Sequence, residues 1–165
     1  MTNAIRILGL DPGLRHTGWG VVIIDGARLV HVAHGVIAPK DTLSLAERLL
    51  VLFEGIAEVI ETHAPHEAAI EETFATANGS STLKLCHARA AAMIAPARAG
   101  LPVAEYAANL VKKSVVGTGH ADKVQIAMMV AMLLPGSHAK ADAADALAVA
   151  ICHAHARTAR KGAAA

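Results

Sequence analysis

Four acidic residues stand where chemistry is commonly built. Asp11 closes the apolar run Ile5–Leu10 and is followed at once by Pro12-Gly13. Glu71, with Glu72 beside it, closes a second apolar run, and Asp142 and Asp145 lie three apart in ADAADALAVA. That spacing puts both aspartates on one face of a helix. Carboxylates gathered without cations repel one another, and a hard divalent cation with oxygen ligands is the usual resolution. Two such ions about 3.5–4 Å apart are a recurring device for cleaving phosphodiesters. Taken singly, each acid also has a plainer account. Asp11 can cap a turn, Asp142 can be the N-cap of the last helix, and Glu71 and Glu72 can be solvated. Asp145 is the exception, because it falls inside a helical stretch where nothing needs a cap and Asp is a poor helix former.

The elements that must carry these acids are legible from periodicity. Residues 5–11 read as a buried strand, with Ile5, Ile7, Gly9 and Asp11 on one face and Leu8 and Leu10 on the other. In GLDPGLRHTGWGVV the strand gives way to a glycine-rich turn, which alone fits a phosphate cradle, a metal ligand or an ordinary hairpin. Strands are expected over Trp19–Ile24 and Leu29–Ile37, joined by Asp25-Gly26. Ser44-x-x-Glu47 reads as a capping box for a helix that Pro65 stops. A strand over 67–73, a helix over Ser81–Arg98 bent or ended by Pro96, and a strand in LPVAEY follow. Helices are expected at about 107–116, 122–134 and 140–157. The order βββ-α-β-α-β followed by helices is an α/β arrangement: a mixed five-stranded sheet flanked by helices.

Composition narrows the class. The 165 residues are 54% hydrophobic with 2% aromatics, enough for one core filled by Ala, Val, Leu and Ile. No apolar run reaches the roughly 20 residues of a membrane span, and the N-terminus does not read as a signal peptide. A cytoplasmic protein is therefore expected, with Cys86 and Cys152 as buried, reduced thiols. Residues 1–83 hold 5 Lys/Arg against 10 Asp/Glu, whereas residues 84–165 hold 10 against 4. Such asymmetry points to nucleic acid or an acidic partner, or simply to solvated basic helix faces. The 10 histidines include no pair with zinc-ligand spacing to a cysteine: His153 and His155 point to different sides of a helix, and His138 reads as a surface residue near Asp142. Met128, Met129 and Met132 read as packing on an apolar helix.

The blocks LGLDPGLRHTGWGVV, AIEETF, LKLCHARA, EYAANLVKKSVVGTGHADK and ADAADALAVAICHAH occur in this order over residues 5–157. Together they resemble the RuvC family of Holliday-junction resolvases. The resemblance implies an RNase H-like nuclease domain over residues 1–158, with 159–165 as a disordered tail. It also implies a site with two Mg²⁺ per subunit, Mn²⁺ able to substitute, held by Asp11, Glu71, Asp142 and Asp145. Glu72 is not expected as a ligand. The products would carry 5′-phosphate and 3′-hydroxyl ends. The implied partners are four-way junction DNA, a second copy of the chain in a homodimer, and the RuvA and RuvB branch-migration proteins, on the bacterial nucleoid. The helix around 81–98 is the candidate dimer surface. Family members often carry two glycines where this chain has Cys86 and Ala90.

Further site residues follow from the same blocks. Lys112 and Lys123 match basic positions near the scissile phosphate, where a compact ammonium stabilises developing charge. Without the block match both would read as solvated lysines. Lys113, Lys84 and Arg89 are expected to contact the DNA backbone. Phe74, at the entrance to the polar loop ATANGSS, is either a core plug or a side chain that stacks on unpaired bases. Three other readings compete. An actin/Hsp70-like ATPase requires a second glycine-rich phosphate loop and a second domain, and neither is visible in the sequence. A non-catalytic junction-binding module would tolerate loss of the acids, and all four are present. A nuclease for RNA–DNA hybrids is disfavoured by the block EYAANLVKKSVVGTGHADK.

Overall fold

The computed structural model describes residues 4–74 and 76–163. The elements in chain order are β1 (Ile5–Asp11), β2 (Thr17–Asp25), β3 (Arg28–Ile37), α1 (Leu45–His63), β4 (Glu67–Glu71), α2 (Gly79–Arg98), β5 (Val103–Tyr106), α3 (Ala108–Val116), α4 (Lys123–Leu133) and α5 (Ala141–Ala163). They form one mixed sheet of order β3-β2-β1-β4-β5. β1, β2 and β3 are an antiparallel meander, and β4 and β5 are added parallel through helical crossovers. This is the expected RNase H-like arrangement.

Strand parity decides which side chains meet which helices. Ile7, Val22, Ile24 and Ala69 pack with α3, α4 and α5 on one face, while Leu8, Leu10, Val21, Ala68 and Ile70 pack with α1 and α2 on the other. Because side chains alternate along a strand, Asp11 shares the α5 face with Ile7, and Glu71 shares it with Ala69.

Helix α5 runs across the sheet nearly in backbone contact with it. A Cβ on Gly9 would overlap the Ala146 carbonyl oxygen and lie 2.7 Å from the Ala150 nitrogen. A Cβ on Gly18 would overlap the Asp142 carbonyl, and one on Gly20 would lie 2.5 Å from the Leu147 side chain. These three glycines form the seat of α5. From Ala146 to Ala154 the helix is buried throughout, which explains its apolar, alanine-rich composition.

A polar clamp fixes α5 at its other end. His153 is 6% exposed, and its Nε2 lies 2.7 Å from the Glu67 carboxylate while its Nδ1 lies 2.8 Å from the Tyr106 hydroxyl. The ionised Glu67 assigns the ring proton to Nε2, so that Nδ1 accepts from Tyr106. Arg157 Nε donates to Glu67 at 2.9 Å. Burial works to raise the Glu67 pKa, but the bonds from His153 and Arg157 outweigh it and hold the carboxyl below its ordinary range.

Several boundaries differ from the sequence reading. β4 ends at Glu71, although the Glu72 N–H still donates to the Tyr106 carbonyl of β5. α2 starts at Gly79, where Asn78 caps Ser81, and Pro96 falls in its last turn without ending it. α5 continues to Ala163, so residues 159–163 of the expected tail are helical; residues 164–165 lie outside the described part. Cys152 is buried as expected, but Cys86 is exposed on the outer face of α2. Met128 and Met132 are exposed, against the expectation of core packing; only Met129 turns to the core, because α4 has apolar residues on both its faces. Among the described residues, no helix is long and apolar enough to cross a membrane.

Candidate active site

The four acids meet at the C-terminal ends of β1 and β4, under the first two turns of α5. β1 and β4 are neighbours with Leu10 opposite Ile70, so the next residues, Asp11 and Glu71, emerge side by side. Oxygens of Asp11, Asp142 and Asp145 lie within 4.8 Å of one another. Asp142 sits inside the first turn of α5 and is therefore not its N-cap. Asp11 and Glu71 are within hydrogen-bonding reach. Burial, then the charges of Glu71, Asp145 and Asp142, push the Asp11 pKa up to about 8. Burial and Asp145 also raise Glu71, while the bond from Asp11 and the charges of Lys112 and Lys123 pull the other way. Both shifts favour the protonated form while no cation is bound.

This donor set fits a hard divalent cation. It consists of carboxylate oxygens alone, it converges on one point, and its repulsion is poorly compensated by the protein itself. The one ion pair described for it is Lys123 Nζ to Asp145 at 3.3 Å, and the Lys123 side chain is 80% exposed. Asp145 is the main reason the Lys123 pKa is raised. Lys112 and Lys123 line a cavity of about 470 Å³ together with Asp11, Glu71, Asp122 and Asp145. A cavity with acids at its floor and ammonium groups on its wall suits a phosphodiester presented to metal.

Similarity to known proteins decides what such a site belongs to. A profile described as "Crossover junction endodeoxyribonuclease RuvC" matches residues 7–153. The chain belongs to the RuvC family. The crossover junction endodeoxyribonuclease RuvC of Maricaulis maris is 64% identical over 159 residues, covering 96% of both chains. That of Caulobacter vibrioides is 64% identical over 157 residues, covering 94% of this chain and 93% of the relative. Thermus thermophilus RuvC in complex with a Holliday junction substrate superposes with a TM-score of 0.84 at 32% identity, covering 96% of each chain. The yeast mitochondrial Holliday junction resolvase shares the fold, with a TM-score of 0.63 at 15% identity, covering 93% of this chain and 80% of that one.

The remaining positions expected from the RuvC resemblance divide into three groups. Lys112 and Lys123 are at the acids. Phe74 is 61% exposed, which removes its reading as a core plug, and Lys84 and Lys113 are exposed as well. Lys84 borders Asp142 across a second cavity, whereas Lys113 does not line the acid cavity. Arg89 is turned inward: its Nε donates to the Glu71 carbonyl at 3.2 Å and its Nη2 is paired with Glu105. It braces the strand end that carries Glu71. Glu72 is exposed, with its N–H donating to the Tyr106 carbonyl, consistent with its exclusion from the ligands. His138 is exposed, and His155 Nδ1 lies 3.1 Å from the Ser114 hydroxyl.

The sequence reading missed Arg48 and Arg15, which line the cavity beside Asp142. No local signal marks them, because the cavity is assembled from α1, α2 and the β1–β2 turn.

Proposed function

We propose that the protein is a Holliday-junction resolvase that makes paired, Mg²⁺-dependent incisions in four-way DNA, leaving 5′-phosphate and 3′-hydroxyl ends. The observation that carries this reading is the clustering of Asp11, Asp142 and Asp145 beside a lysine-walled cavity that Asp11, Glu71 and Asp145 line, in a RuvC-family chain. Asp11, Glu71, Asp142 and Asp145 would hold two divalent ions. When bound, such ions supply an activated water for in-line attack and stabilise charge on the phosphate. The attacking oxygen adds to phosphorus, the P–O3′ bond breaks, and the 3′-oxygen leaves to become a hydroxyl. Lys123, placed by Asp145, and Lys112 stabilise negative charge on the phosphate and the leaving oxygen.

Phe74, three residues beyond the end of β4, stacks on unpaired bases at the exchange point. Phe74→Ala is expected to lower junction cleavage about tenfold, given the roughly 1–3 kcal/mol of a base–aromatic stack. Its melting temperature stays within about 1 °C, because the ring is mostly exposed. A normal rate per folded molecule would remove Phe74 from the site.

A four-way junction has approximate two-fold symmetry, which a homodimer matches. The outer face of α2 offers an apolar stripe, with Leu83 62% and Ile94 56% exposed and Cys86 and Ala90 between them. The two residues that replace family glycines therefore face the second subunit rather than this chain's core. RuvA and RuvB would deliver the junction, on the nucleoid of a bacterial cytoplasm.

The test compares a synthetic four-way junction with a duplex of the same sequence, in Mg²⁺ and in chelator. Symmetric, ligatable nicks in the junction alone, lost on metal removal and restored by Mg²⁺ or Mn²⁺, are expected. Cleavage in chelator, or equal cleavage of duplex, would overturn the reading.

A further inference from the structure

A second cavity, of about 680 Å³, lies on the other side of the acidic cluster and shares Asp142 with it. Its walls are the β1–β2 turn (Gly13–His16), Arg48 of α1 with Asp41 before it, and Ser81, Lys84 and Leu85 of α2. Three permanent cations, Arg15, Arg48 and Lys84, thus converge from three separate elements. Two carboxylates also border it, Asp41 and Asp142. Asp142 belongs to the metal ligands proposed above, and Asp41 is paired with Arg48 at 3.3 Å.

Arg48 is the informative member. Its side chain is 14% exposed, and Nη2 is fixed by the Leu14 carbonyl at 3.1 Å. Its Nε is buried and has no hydrogen-bond partner among the described residues. A buried guanidinium N–H left unmatched is uncommon, and its cost is relieved when an acceptor arrives. A pocket lined by three cations is suited to a phosphate, which accepts several charge-assisted bonds at once.

We propose that this cavity seats a backbone phosphate of the cleaved DNA strand, on the opposite side of the scissile phosphate from Lys112 and Lys123. The proposal rests on the junction-nuclease reading and adds to it the path of the strand. The strand runs from the lysine-walled cavity, over the four acids, to Arg15, Lys84 and Arg48. Held at both sides, the scissile phosphate has its position along the strand fixed by the protein and not by base identity.

Binding is measured in an Asp11→Asn background, so that the junction stays intact, between 50 and 200 mM salt. Arg15→Ala and Lys84→Ala, both at exposed side chains whose loss spares the fold, are each expected to weaken junction binding about tenfold at low salt. Each is expected to lower the slope of log affinity against log salt by about one. A single neutral methylphosphonate is then moved along the cleaved strand. At one position within a few nucleotides of the cut it should weaken the parent and leave Arg15→Ala without further loss. Unchanged slopes, or methylphosphonate penalties that add to Arg15→Ala at every position, overturn the proposal. So does Arg15→Ala relieving inhibition by inorganic phosphate while junction binding is unaltered, which would make the cavity a free-phosphate site. Failure of the junction-nuclease reading is distinguishable: the parent itself would then not prefer the junction to duplex.

Discussion

Asp11→Asn is expected to bind a four-way junction at least as well as the parent and to cut it at least about a thousandfold more slowly. Asp11 lies within the 4.8 Å cluster with Asp142 and Asp145 and emerges beside Glu71, so it is central to the acidic group. An amide retains the shape but lacks the charge that holds a divalent cation. Losing several kcal/mol of charge stabilisation in the transition state corresponds to three or more decades in rate. Binding does not suffer, because one negative charge facing the DNA is gone. The same substitution should raise the melting temperature of the metal-free protein by roughly 5 °C near pH 8. The sign follows from linkage. Asp11 titrates near the ordinary aspartate value of 3.8 when unfolded and at about 8 when folded. Its proton therefore stabilises the fold fully below about pH 4, and that contribution is lost as pH rises towards 8. The advantage of the amide is accordingly greatest at pH 8 and absent near pH 4. Saturating Mg²⁺ reverses the ranking, since the parent binds it more tightly. Equal cleavage by the two proteins would remove Asp11 from the centre.

Gly9→Ala is expected to be the most damaging single methyl group that can be added to β1. The new carbon meets the backbone of Ala146 and Ala150, which cannot turn aside as a side chain can. Overpacking costs about 1–3 kcal/mol where neighbours adjust, and here a helix buried from Ala146 to Ala154 has to lift away, so about 3 kcal/mol or more is expected. A fall of about 10 °C in melting temperature follows for a chain of this size. The folded fraction should also cleave slowly, because lifting α5 separates Asp142 and Asp145 from Asp11 and Glu71. Gly26→Ala provides the contrast. Gly26 has φ of +61° but nothing within 4 Å of the added carbon, so it should lose some stability and no cleavage per folded molecule. Comparable cleavage by folded Gly9→Ala would show that the seat does not position the acids.

The acids were legible in the sequence because each lies on a simple repeat. Asp11 shares strand parity with Ile7 and Gly9, and Asp142 and Asp145 share a helix face, so neighbouring strands and one crossing helix suffice to gather them. The sheet order follows from the same economy of short connections. What was not legible depends on contacts remote in the chain. Glu67 and His153 are 86 residues apart, and neither carries a local mark of the other. Arg89 reads as a free cation on a basic helix until Glu105 and the Glu71 carbonyl are placed beside it. Met128 and Met132 occupy a helix with apolar residues on both faces, so periodicity cannot say which face is inward.

Helix α5 is held by the glycine seat at its start and by Glu67, His153 and Arg157 near its end. The acid-bearing helix is therefore pinned at two places along its length. A cutting centre pinned in this way leaves more of the fitting to the DNA. Duplex resists being bent into such a site, whereas a branch point with unstacked arms yields at little cost. Discrimination between the two is then a matter of nucleic-acid mechanics: the protein acts as a stiff gauge, and the polymer compliant enough to reach its floor is the one that is cut.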